Sequence, residues 1–197
     1  MTAKKEDKLV SLQQAAALVR DGDIIAMQGM GTQMSPLALV RELIRAGKRD
    51  LQVAMVVGGI GLDWMIAAGC VRKVMAIIIN LDEFGMANNF RRAAEAQKLE
   101  IEEYTEHTIL TRLGAGAMGL PFGVTRSGLG SDILGLHPET TKVIECPFTG
   151  TPVVACRALG RTWPFCTRTA PTDLATFSFF PSPSGRMWMC FRGRRRK

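Results

Sequence analysis

Residues 11–47 read SLQQAAALVRDGDIIAMQGMGTQMSPLALVRELIRAG, and this stretch contains the unit that decides the fold. Ser11 and Gln14 form a capping box, which predicts the start of an amphipathic helix. The apolar run of residues 23–27 predicts a short buried strand. After a glycine-bearing loop, Pro36 begins a second helix and Gly47 lies beyond its end. A helix, a strand, a loop and a helix in this order indicate an α/β fold.

The same alternation continues along most of the chain. Continuous apolar strands separated by amphipathic helices predict an open, mostly parallel sheet with helices on both faces. The further strands are predicted at residues 51–57, 74–79, 101–104, 122–125, 142–145 and 153–156, and the further helices at residues 64–68, 88–99 and 107–118.

The net charge of +7 is confined to the end of the chain. Residues 158–197 hold eight Lys and Arg against the single acid Asp173, whereas residues 1–157 hold 17 bases and 17 acids. The body therefore lacks the basic pattern of a nucleic-acid-binding domain. The first eight residues, MTAKKEDK, lack the apolar stretch of a signal peptide, and no apolar run reaches the roughly 18 residues of a membrane span. We expect a cytoplasmic protein with neither a nucleic-acid nor a membrane partner.

Cysteine and histidine are too sparse for most metal and nucleophile chemistry. The five cysteines are odd in number and show no Cys-x-x-Cys spacing, which argues against a disulfide framework and a zinc site. His107 and His137 are the two histidines, and we expect them to be surface or capping residues. A metal site and a His-based catalytic triad are both disfavoured.

Three glycine-bearing turns follow predicted strands, at residues 28–33, 57–61 and 126–132. Ligands of open α/β sheets bind at the carboxyl ends of strands, where glycine lets backbone amides approach them. Each turn taken alone is better explained as a tight connection between strand and helix. A dinucleotide site is disfavoured, because the first turn lacks the third glycine and no acid follows at the required distance. Together the three turns predict one site lined by backbone N–H groups, near the helix that opens at Ser35.

Seven segments of the chain resemble a known family. In chain order they are SLQQAAALVRDGDIIAMQGMG, SPLALVRELIRAGKRDL, AAGCVRKV, LDEFGMANNFRRAAE, EEYTE, AMGLPFGVTRSGLGSDI and PFTGTPVVACRAL. They are similar to the α (A) subunit of family I coenzyme A transferases of the glutaconate and 3-oxoacid type. The similarity covers residues 10–159 without large gaps.

This resemblance implies a reaction and a partner. Such enzymes move coenzyme A (CoA) from an acyl-CoA to a free carboxylic acid through an acyl-glutamyl anhydride and a glutamyl-CoA thioester. The nucleophilic glutamate belongs to a β subunit, with which the α subunit forms a heterodimer or heterotetramer. The α subunit supplies glycine-loop amides around the thioester carbonyl. We therefore expect no catalytic residue in this chain, with CoA as a substrate and no permanently bound cofactor or metal.

The resemblance also assigns binding residues. Gly29 and Gly31 match the family's Gly-Gly-Phe-Gly-like loop, although Gln28 replaces its first glycine and Met30 its aromatic residue. A later Ser-Gly-Leu-Gly loop is matched by residues 127–130. The candidate substrate-binding and CoA-binding residues are Gly29, Gly31, Thr32, Ser35, Gly58, Gly59, Ser127, Gly128 and Gly130.

Glu83 is a competing candidate for a nucleophile. It lies in Asp82-Glu-Phe-Gly85 between a buried strand and a helix, and resembles a nucleophilic glutamate followed by glycine. Asp82 and Glu83 also suit the approach to a helix N-terminus, where carboxylates gain from the helix dipole, and we prefer that interpretation. Two alternatives to a transferase remain: a CoA-thioester hydrolase of the same family acting on ring-degradation intermediates, and a non-functional truncated product.

Residues 160–197 differ from everything before them. In the resembled family this point is followed by Pro-Asp-Val-Ala and then His-x-x-Arg-Ala-Asp-x-x-Gly-Asn-Val-Gln. Codons for residues 160–180 can be chosen so that reading from the third base gives PDVAFLYTHRADRLGNVQFF. We therefore predict an incomplete transferase domain at residues 1–159, with an unpaired sheet edge and impaired function, followed by an out-of-frame and poorly ordered tail. A genuine basic tail that binds nucleic acid or membrane is the alternative.

Overall fold

The computed structural model describes residues 10–160 and, beyond them, the backbone of three strands. Two short 3-10 helices span Asp82–Phe84 and Asp132–Leu136. The α-helices are α1 Leu12–Leu18, α2 Leu37–Arg45, α3 Ile60–Ala67, α4 Asn88–Glu95 and α5 Glu106–Met118. The strands are β1 Ile24–Met27, β2 Leu51–Ala54, β3 Val57–Gly58, β4 Val71–Ala76, β5 Ile78–Ile79, β6 Glu100–Glu103, β7 Phe122–Thr125, β8 Thr141–Glu145, β9 Pro152–Arg157, β10 Thr162–Arg168, β11 Thr176–Pro181 and β12 Met187–Arg192.

The central sheet has seven strands in the order β11-β12-β10-β1-β2-β4-β6. Five of its six pairings are parallel, and only β11 runs antiparallel to its neighbour β12. The predicted mostly parallel α/β sheet is confirmed. The capping box at Ser11 is also present, because the Ser11 hydroxyl accepts a hydrogen bond from the Gln14 amide and the Gln14 side chain accepts one from the Ser11 amide.

Strands β7, β8 and β9 form a separate antiparallel sheet in the order β7-β9-β8. The sequence pattern predicts these strands but does not separate them from the central sheet. The antiparallel pairing of β8 and β9 follows from their connection, which spans only residues 146–151. A parallel crossover needs a dozen residues or more, so these two strands pair as a hairpin.

Both faces of the central sheet are covered, as expected. Strand β2 shows the division, because Leu51 and Val53 belong to one buried apolar cluster and Ala54 to another. The larger cluster joins the sheet to α1, α2 and α3. The smaller one joins it to α5 through Ile109, and α5 also packs against β7 and β9.

Two predicted strands are broken where they leave the sheet. Residues 51–57 divide into β2 and β3, and residues 74–79 divide into β4 and β5. Strands β3 and β5 then pair with each other as a short parallel ladder, through Val57 with Ile78 and Gly58 with Ile79. This second ladder lies beyond the carboxyl ends of β2 and β4, and it carries Gly58 away from the central sheet.

The edge of β1 has a neighbour. The backbone of β10 runs parallel to β1, with Ile24 opposite Thr162 and Met27 opposite Phe165. The edge that we expected to stay unpaired is therefore paired in this structure. The expectation that the remaining tail is poorly ordered, and any packing of the side chains of residues 161–197, lie outside the described residues.

Candidate functional site

Gly31 and Gly59 bring the first two glycine loops into contact. They form a parallel β-bridge, and the Ile60 amide donates a hydrogen bond of 2.8 Å to the Gly31 carbonyl oxygen. A Cβ atom on Gly59 would lie 2.1 Å from that oxygen, far inside van der Waals contact. The two loops can meet in this way only because residue 59 has no side chain.

A third segment packs onto the same junction. Gly31 has a φ of 52°, in the left-handed region that favours glycine. A Cβ atom there would lie 1.7 Å from the Asp82 carboxylate oxygen Oδ2. Asp82 itself has a φ of 53°, a conformation that aspartate tolerates better than most residues. The loop at residues 80–86 is thereby held directly against Gly31.

Ser35 and the remaining glycines of these loops complete the group. A Cβ atom on Gly29 would lie 3.0 Å from the Ser35 hydroxyl oxygen, and one on Gly58 would lie 2.7 Å from the Ile79 side chain. The Ser35 hydroxyl is buried and has no hydrogen-bond partner within the described part of the chain. We call Gly29, Gly31, Ser35, Gly58 and Gly59 the glycine-loop cluster. Thr32 follows Gly31 in the chain and is half-buried.

The third predicted loop lies elsewhere along the same edge. The Ser127 hydroxyl donates a hydrogen bond of 2.8 Å to the Thr105 hydroxyl, and Thr105 caps α5 just after β6. A Cβ atom on Gly128 would meet Leu134 at 2.8 Å, while Gly130 faces open space. The sheet order places β6 two strands from β2, roughly 10 Å away. The structure joins the first two loops and leaves the third beside α5.

Glu83 lies in the exposed 3-10 helix between β5 and α4. The carboxylate at the start of α4 comes from Asp63 instead. Its two oxygens accept hydrogen bonds from the Phe90 amide at 2.9 Å and the Asn89 side chain at 2.7 Å. The carboxylate that forms hydrogen bonds at the α4 N-terminus is therefore that of Asp63, a buried residue of α3, while the interpretation of Asp82 and Glu83 as acids that gain from a helix dipole stays a prediction.

A second polar region, which the sequence did not reveal, lies on the α5 face of the central sheet. It is a cleft of about 460 Å³ whose charged lining includes Lys73, Glu100, Glu102 and Arg112, and we call it the charged cleft. Lys73 forms ion pairs with Glu100 at 2.7 Å and with Glu102. A usable signal was present in the sequence. Glu100 and Glu102 are two positions apart, so in a strand they share one face.

Burial and charge pairing compete at Glu102. Burial raises the pKa of this carboxyl, but hydrogen bonds from Lys73 and Tyr104, with the charges of Lys73 and Arg112, outweigh burial and hold the pKa below its ordinary value. Burial lowers the pKa of Lys73, but its two glutamate partners outweigh burial, so this pKa is raised above its ordinary value. Burial raises the pKa of Tyr104 to about 12. All three groups are therefore held in their neutral-pH protonation states.

Arg112 contacts several groups in and beside the charged cleft. Its Nε donates a hydrogen bond of 3.0 Å to the Arg157 carbonyl, and its guanidinium lies 4.7 Å from the centre of the Tyr104 ring. Nη1 lies 3.9 Å from the Glu102 carboxylate and makes no hydrogen bond to the described residues. The His137 ring also contacts Tyr104, with ring centres 4.8 Å apart, and its Nε2 contacts the Glu103 carbonyl.

Glu102, His137 and Glu139 also lie close enough to be considered as metal ligands, with one potential ligand atom from each within 4.8 Å of the others. The oxygens of Glu102 are already engaged by Lys73 and the Tyr104 hydroxyl. A cation there would have to displace the Lys73 ammonium, with the Arg112 guanidinium nearby. The local chemistry therefore disfavours a metal ion.

Among the described helices, none is long and apolar enough to cross a membrane.

Comparison with known proteins identifies the family that this chain matches. Residues 9–162 match the family model described as Coenzyme A transferase. The chain is 36% identical over 152 residues to the A subunit of the 3-oxoadipate CoA-transferase of Pseudomonas knackmussii, covering 75% of this chain and 53% of that protein. It is 33% identical over 145 residues to the cholesterol ring-cleaving hydrolase IpdA subunit of Rhodococcus jostii, covering 73% and 49%.

Two solved structures share the fold. A variant of the decarboxylase AibA/AibB superposes with a TM-score of 0.74 at 28% identity, covering 86% of this chain and 65% of that one. Glutaconate coenzyme A-transferase from Acidaminococcus fermentans superposes with a TM-score of 0.71 at 26% identity, covering 87% and 60%. The chain spans about half the length of the curated relatives that it matches.

Proposed function

The chain belongs to the coenzyme A transferase family, and on this premise we propose that it acts as the A (α) subunit of an enzyme that moves CoA from an acyl-CoA to a free carboxylic acid. The observation that carries the proposal is the junction of Gly31 and Gly59 beyond the carboxyl ends of β1 and β2. Ligands of open α/β sheets bind at that edge.

The glycine-loop cluster suits a thioester because it is built from backbone. Its members contribute no charged side chain, and α3 begins directly after Gly59, so the positive end of a helix dipole faces this junction. Backbone N–H groups that are held in place stabilise the negative charge that develops on a thioester oxygen during acyl transfer. In this proposal the cluster orients the thioester and stabilises its oxyanion, and does not itself react.

The nucleophile in this proposal is a glutamate carboxylate of the B (β) subunit. It attacks the thioester carbonyl and expels the CoA thiolate, which leaves an acyl-glutamyl anhydride. The thiolate then attacks the glutamyl carbonyl, forms a glutamyl-CoA thioester and releases the first carboxylate. An acceptor carboxylate repeats the two steps in reverse and leaves with CoA. No oxidant, reductant or cofactor is needed, since each step exchanges one acyl bond for another.

A hydrolase is the second candidate. The Rhodococcus relative is named a ring-cleaving hydrolase, and its 33% identity is close to the 36% of the transferase relative. In that case water would take the place of the acceptor carboxylate at the same loops. The substrate class would then be a CoA thioester of a ring-degradation intermediate.

We further propose that residues 160–197 are this family's next segment read out of frame, so that the chain by itself is an impaired product. The match to the family model ends at residue 162, close to the point where the composition changes. Sequencing the gene tests this directly. A family-like reading frame downstream of Leu159 is expected, and its absence would favour a genuine basic tail.

Transfer and hydrolysis are separated by following the fate of the CoA thiol. The chain is purified together with the B subunit from the same genome and incubated with succinyl-CoA and 3-oxoadipate, or with acetyl-CoA and glutaconate. A transferase moves the CoA to the added acid without releasing free thiol. Release of free CoA independent of the acid would identify a hydrolase. No reaction with any acyl-CoA, either by this chain or by a version in which the downstream reading frame is restored, would contradict both functions.

A further inference from the structure

Asp63 is a buried acid to which the proposed reaction gives no role. It lies within α3 with 6% of its surface exposed, and it forms no ion pair with another described residue. Its carboxylate is satisfied by the Phe90 amide at 2.9 Å and the Asn89 side chain at 2.7 Å. Burial of a carboxylate costs free energy unless such donors are held in place. The position of α4 is therefore coupled to this residue.

The backbone of Asp63 is bonded to the junction of the first two glycine loops. Its amide donates a hydrogen bond of 3.1 Å to the Gly59 carbonyl oxygen in the first turn of α3. Gly59 forms the β-bridge with Gly31. One residue is thus connected through its main chain to the glycine-loop cluster and through its side chain to the start of α4.

The start of α4 has no cap from its own segment. The residue before its first turn is Ala87, which has no side-chain oxygen to accept a bond from the helix amides. Phe90 is the third residue of α4, and its amide is one of those that lack a partner within the helix. Asp63 supplies the missing acceptor from α3. The first turn of α4 is therefore expected to fray when this carboxylate is removed.

The loop at residues 80–86 lies between the glycine junction and the start of α4. At its beginning, the Asn80 amide donates a hydrogen bond of 3.1 Å to the Gly58 carbonyl oxygen. Within it, Asp82 has a φ of 53° and lies against Gly31. A backbone conformation of this kind persists only where the surrounding structure holds it. The loop therefore needs an anchor at its other end as well, and α4 begins just after it.

We propose that Asp63 is a positioning residue, which fixes the end of this loop and so holds Asp82 against Gly31. The inference rests on the proposed function, because the loop affects transfer only if the thioester binds at the glycine-loop cluster. Asp63 itself does not touch the reacting atoms. It acts through the loop, and a displacement near 1 Å in an element that positions a substrate lowers a rate about 100-fold.

Hydrogen exchange measured by mass spectrometry on the purified full chain tests the structural part. Asp63→Ala is expected to speed exchange about tenfold at the amides of residues 80–90, because the loop is then anchored at one end only. Asp21→Ala is the matched control, since Asp21 accepts a hydrogen bond of 2.8 Å from the Arg49 amide before the amino ends of β1 and β2. It should leave exchange at residues 80–90 unchanged. Equal exchange there in the two variants, or a uniform increase along the whole chain in Asp63→Ala, would overturn the proposal.

An exchange of the two polar partners keeps the test decisive if Asp63→Ala does not fold. Asn89→Asp alone places two carboxylates together and is expected to loosen the loop, although an acid in the first turn of α4 by itself favours the helix. The double variant Asp63→Asn, Asn89→Asp restores a donor facing an acceptor and keeps an oxygen for the Phe90 amide. It is expected to return exchange to the wild-type rate. A loop that stays protected in Asn89→Asp would contradict the proposal.

Transfer kinetics with the B subunit test the functional part. Expressed per assembled complex, kcat for Asn89→Asp is expected to fall about tenfold with little change in KM, and the double variant should recover it. An unchanged kcat in Asn89→Asp, despite faster exchange in the loop, would overturn the positioning role. A wild-type complex that shows the predicted exchange pattern but transfers no CoA would refute the proposed function, while confirming that Asp63 holds the loop.

Discussion

The glycine-loop cluster and the charged cleft are two polar regions beside the central sheet, and each buries one polar atom that lacks a hydrogen bond to the described residues. In the cluster this atom is the Ser35 hydroxyl oxygen, among glycines and without a nearby charge pair. In the cleft it is Arg112 Nη1, with Glu102 3.9 Å away and Lys73 completing the charge balance.

The two regions therefore use their polar groups differently. In the cleft, opposite charges satisfy one another, so the region stabilises the fold and offers little to an outside ligand. In the cluster, the glycines let backbone segments and the Asp82 side chain approach one another closely, and no ion pair among the described residues engages its polar groups. This contrast is why we place binding at the cluster and treat the cleft as structural.

The largest effect is expected from closing the space between the glycine loops. In Gly59→Ala the backbone conformation is acceptable for alanine, with φ −139°, but the new Cβ would meet the Gly31 oxygen at 2.1 Å. The two loops must move apart to relieve this contact. A displacement of the loops near 1 Å is expected to lower the rate of CoA transfer about 100-fold. The overpacking itself costs about 1–3 kcal/mol.

Gly114→Ala is the control for this variant. Gly114 lies within α5 and a Cβ there meets nothing within 4 Å. Its stability is expected to rise by about 0.5–1 kcal/mol, with activity unchanged. Similar activities of the two variants in the assembled enzyme would show that the junction of Gly31 and Gly59 has no role in transfer.

The next largest effect is expected from replacing Arg112, the buried guanidinium of the charged cleft. Arg112→Leu deletes a buried guanidinium and leaves the Arg157 carbonyl without its donor. Breaking such a network costs about 2–3 kcal/mol, less than for an isolated pair because Lys73 still faces Glu102. Urea unfolding should detect this loss, and Arg126→Leu on an exposed loop should stay within about 0.5 kcal/mol. A stable Arg112→Leu variant would mean that the cleft is not a structural network.

The pH dependence of stability separates the two regions further. Because the pKa of Glu102 is lowered by folding, its contribution is present above the ordinary glutamate pKa near 4.3 and is lost as the pH falls through the folded value. The pKa of Tyr104 is raised from 10.0 to about 12, so its contribution is present below pH 10 and is lost between about 10 and 12.

Urea midpoints across this pH range provide the measurement. Glu102→Gln should flatten the acid side of the profile, while Glu103→Gln, an exposed neighbour on the same strand, should leave it unchanged. Identical acid profiles for the wild type and Glu102→Gln would assign the acid transition to other groups.

The smallest effect is expected at Ser35. Because its hydroxyl makes no hydrogen bond to the described residues, Ser35→Ala should change the free energy of unfolding by less than about 0.5 kcal/mol or increase it slightly. Ser127→Ala removes a hydroxyl that donates to Thr105 at 2.8 Å and should cost about 1 kcal/mol. Thermal unfolding of the pair distinguishes them, and a larger loss at Ser35 would reveal a hydrogen bond to a buried water.

Much of the fold could be predicted because local signals agreed with the global structure. The capping box at Ser11 and the glycine after α2 mark helix ends through backbone chemistry alone. The small antiparallel sheet could not be separated from the central one, since strand patterning does not encode which strand pairs with which. The breaks after β2 and β4 were also missed, because residues 51–57 and 74–79 are apolar on both sides of each break.

The grouping of the glycine loops was predicted in part for a similar reason, whereas their binding role stays a prediction. Glycines that permit close approach are visible in a sequence, and Gly29, Gly31, Gly58 and Gly59 do lie together. The distance of residues 127–130 from them depends on the order of strands in the sheet, which no local pattern specifies. The contact of Asp82 with Gly31 was missed, because it joins residues 51 positions apart in the chain.

One measurement tests the central claim that this chain supplies a binding scaffold and not the nucleophile. CoA transfer is measured for the purified chain alone, for the chain with its B subunit, and for both with Glu83→Ala. We predict no transfer by the chain alone, and transfer by the complex when Glu83→Ala is supplied at concentrations that saturate binding. Transfer by the chain alone that Glu83→Ala abolishes would contradict the account and make Glu83 the nucleophile.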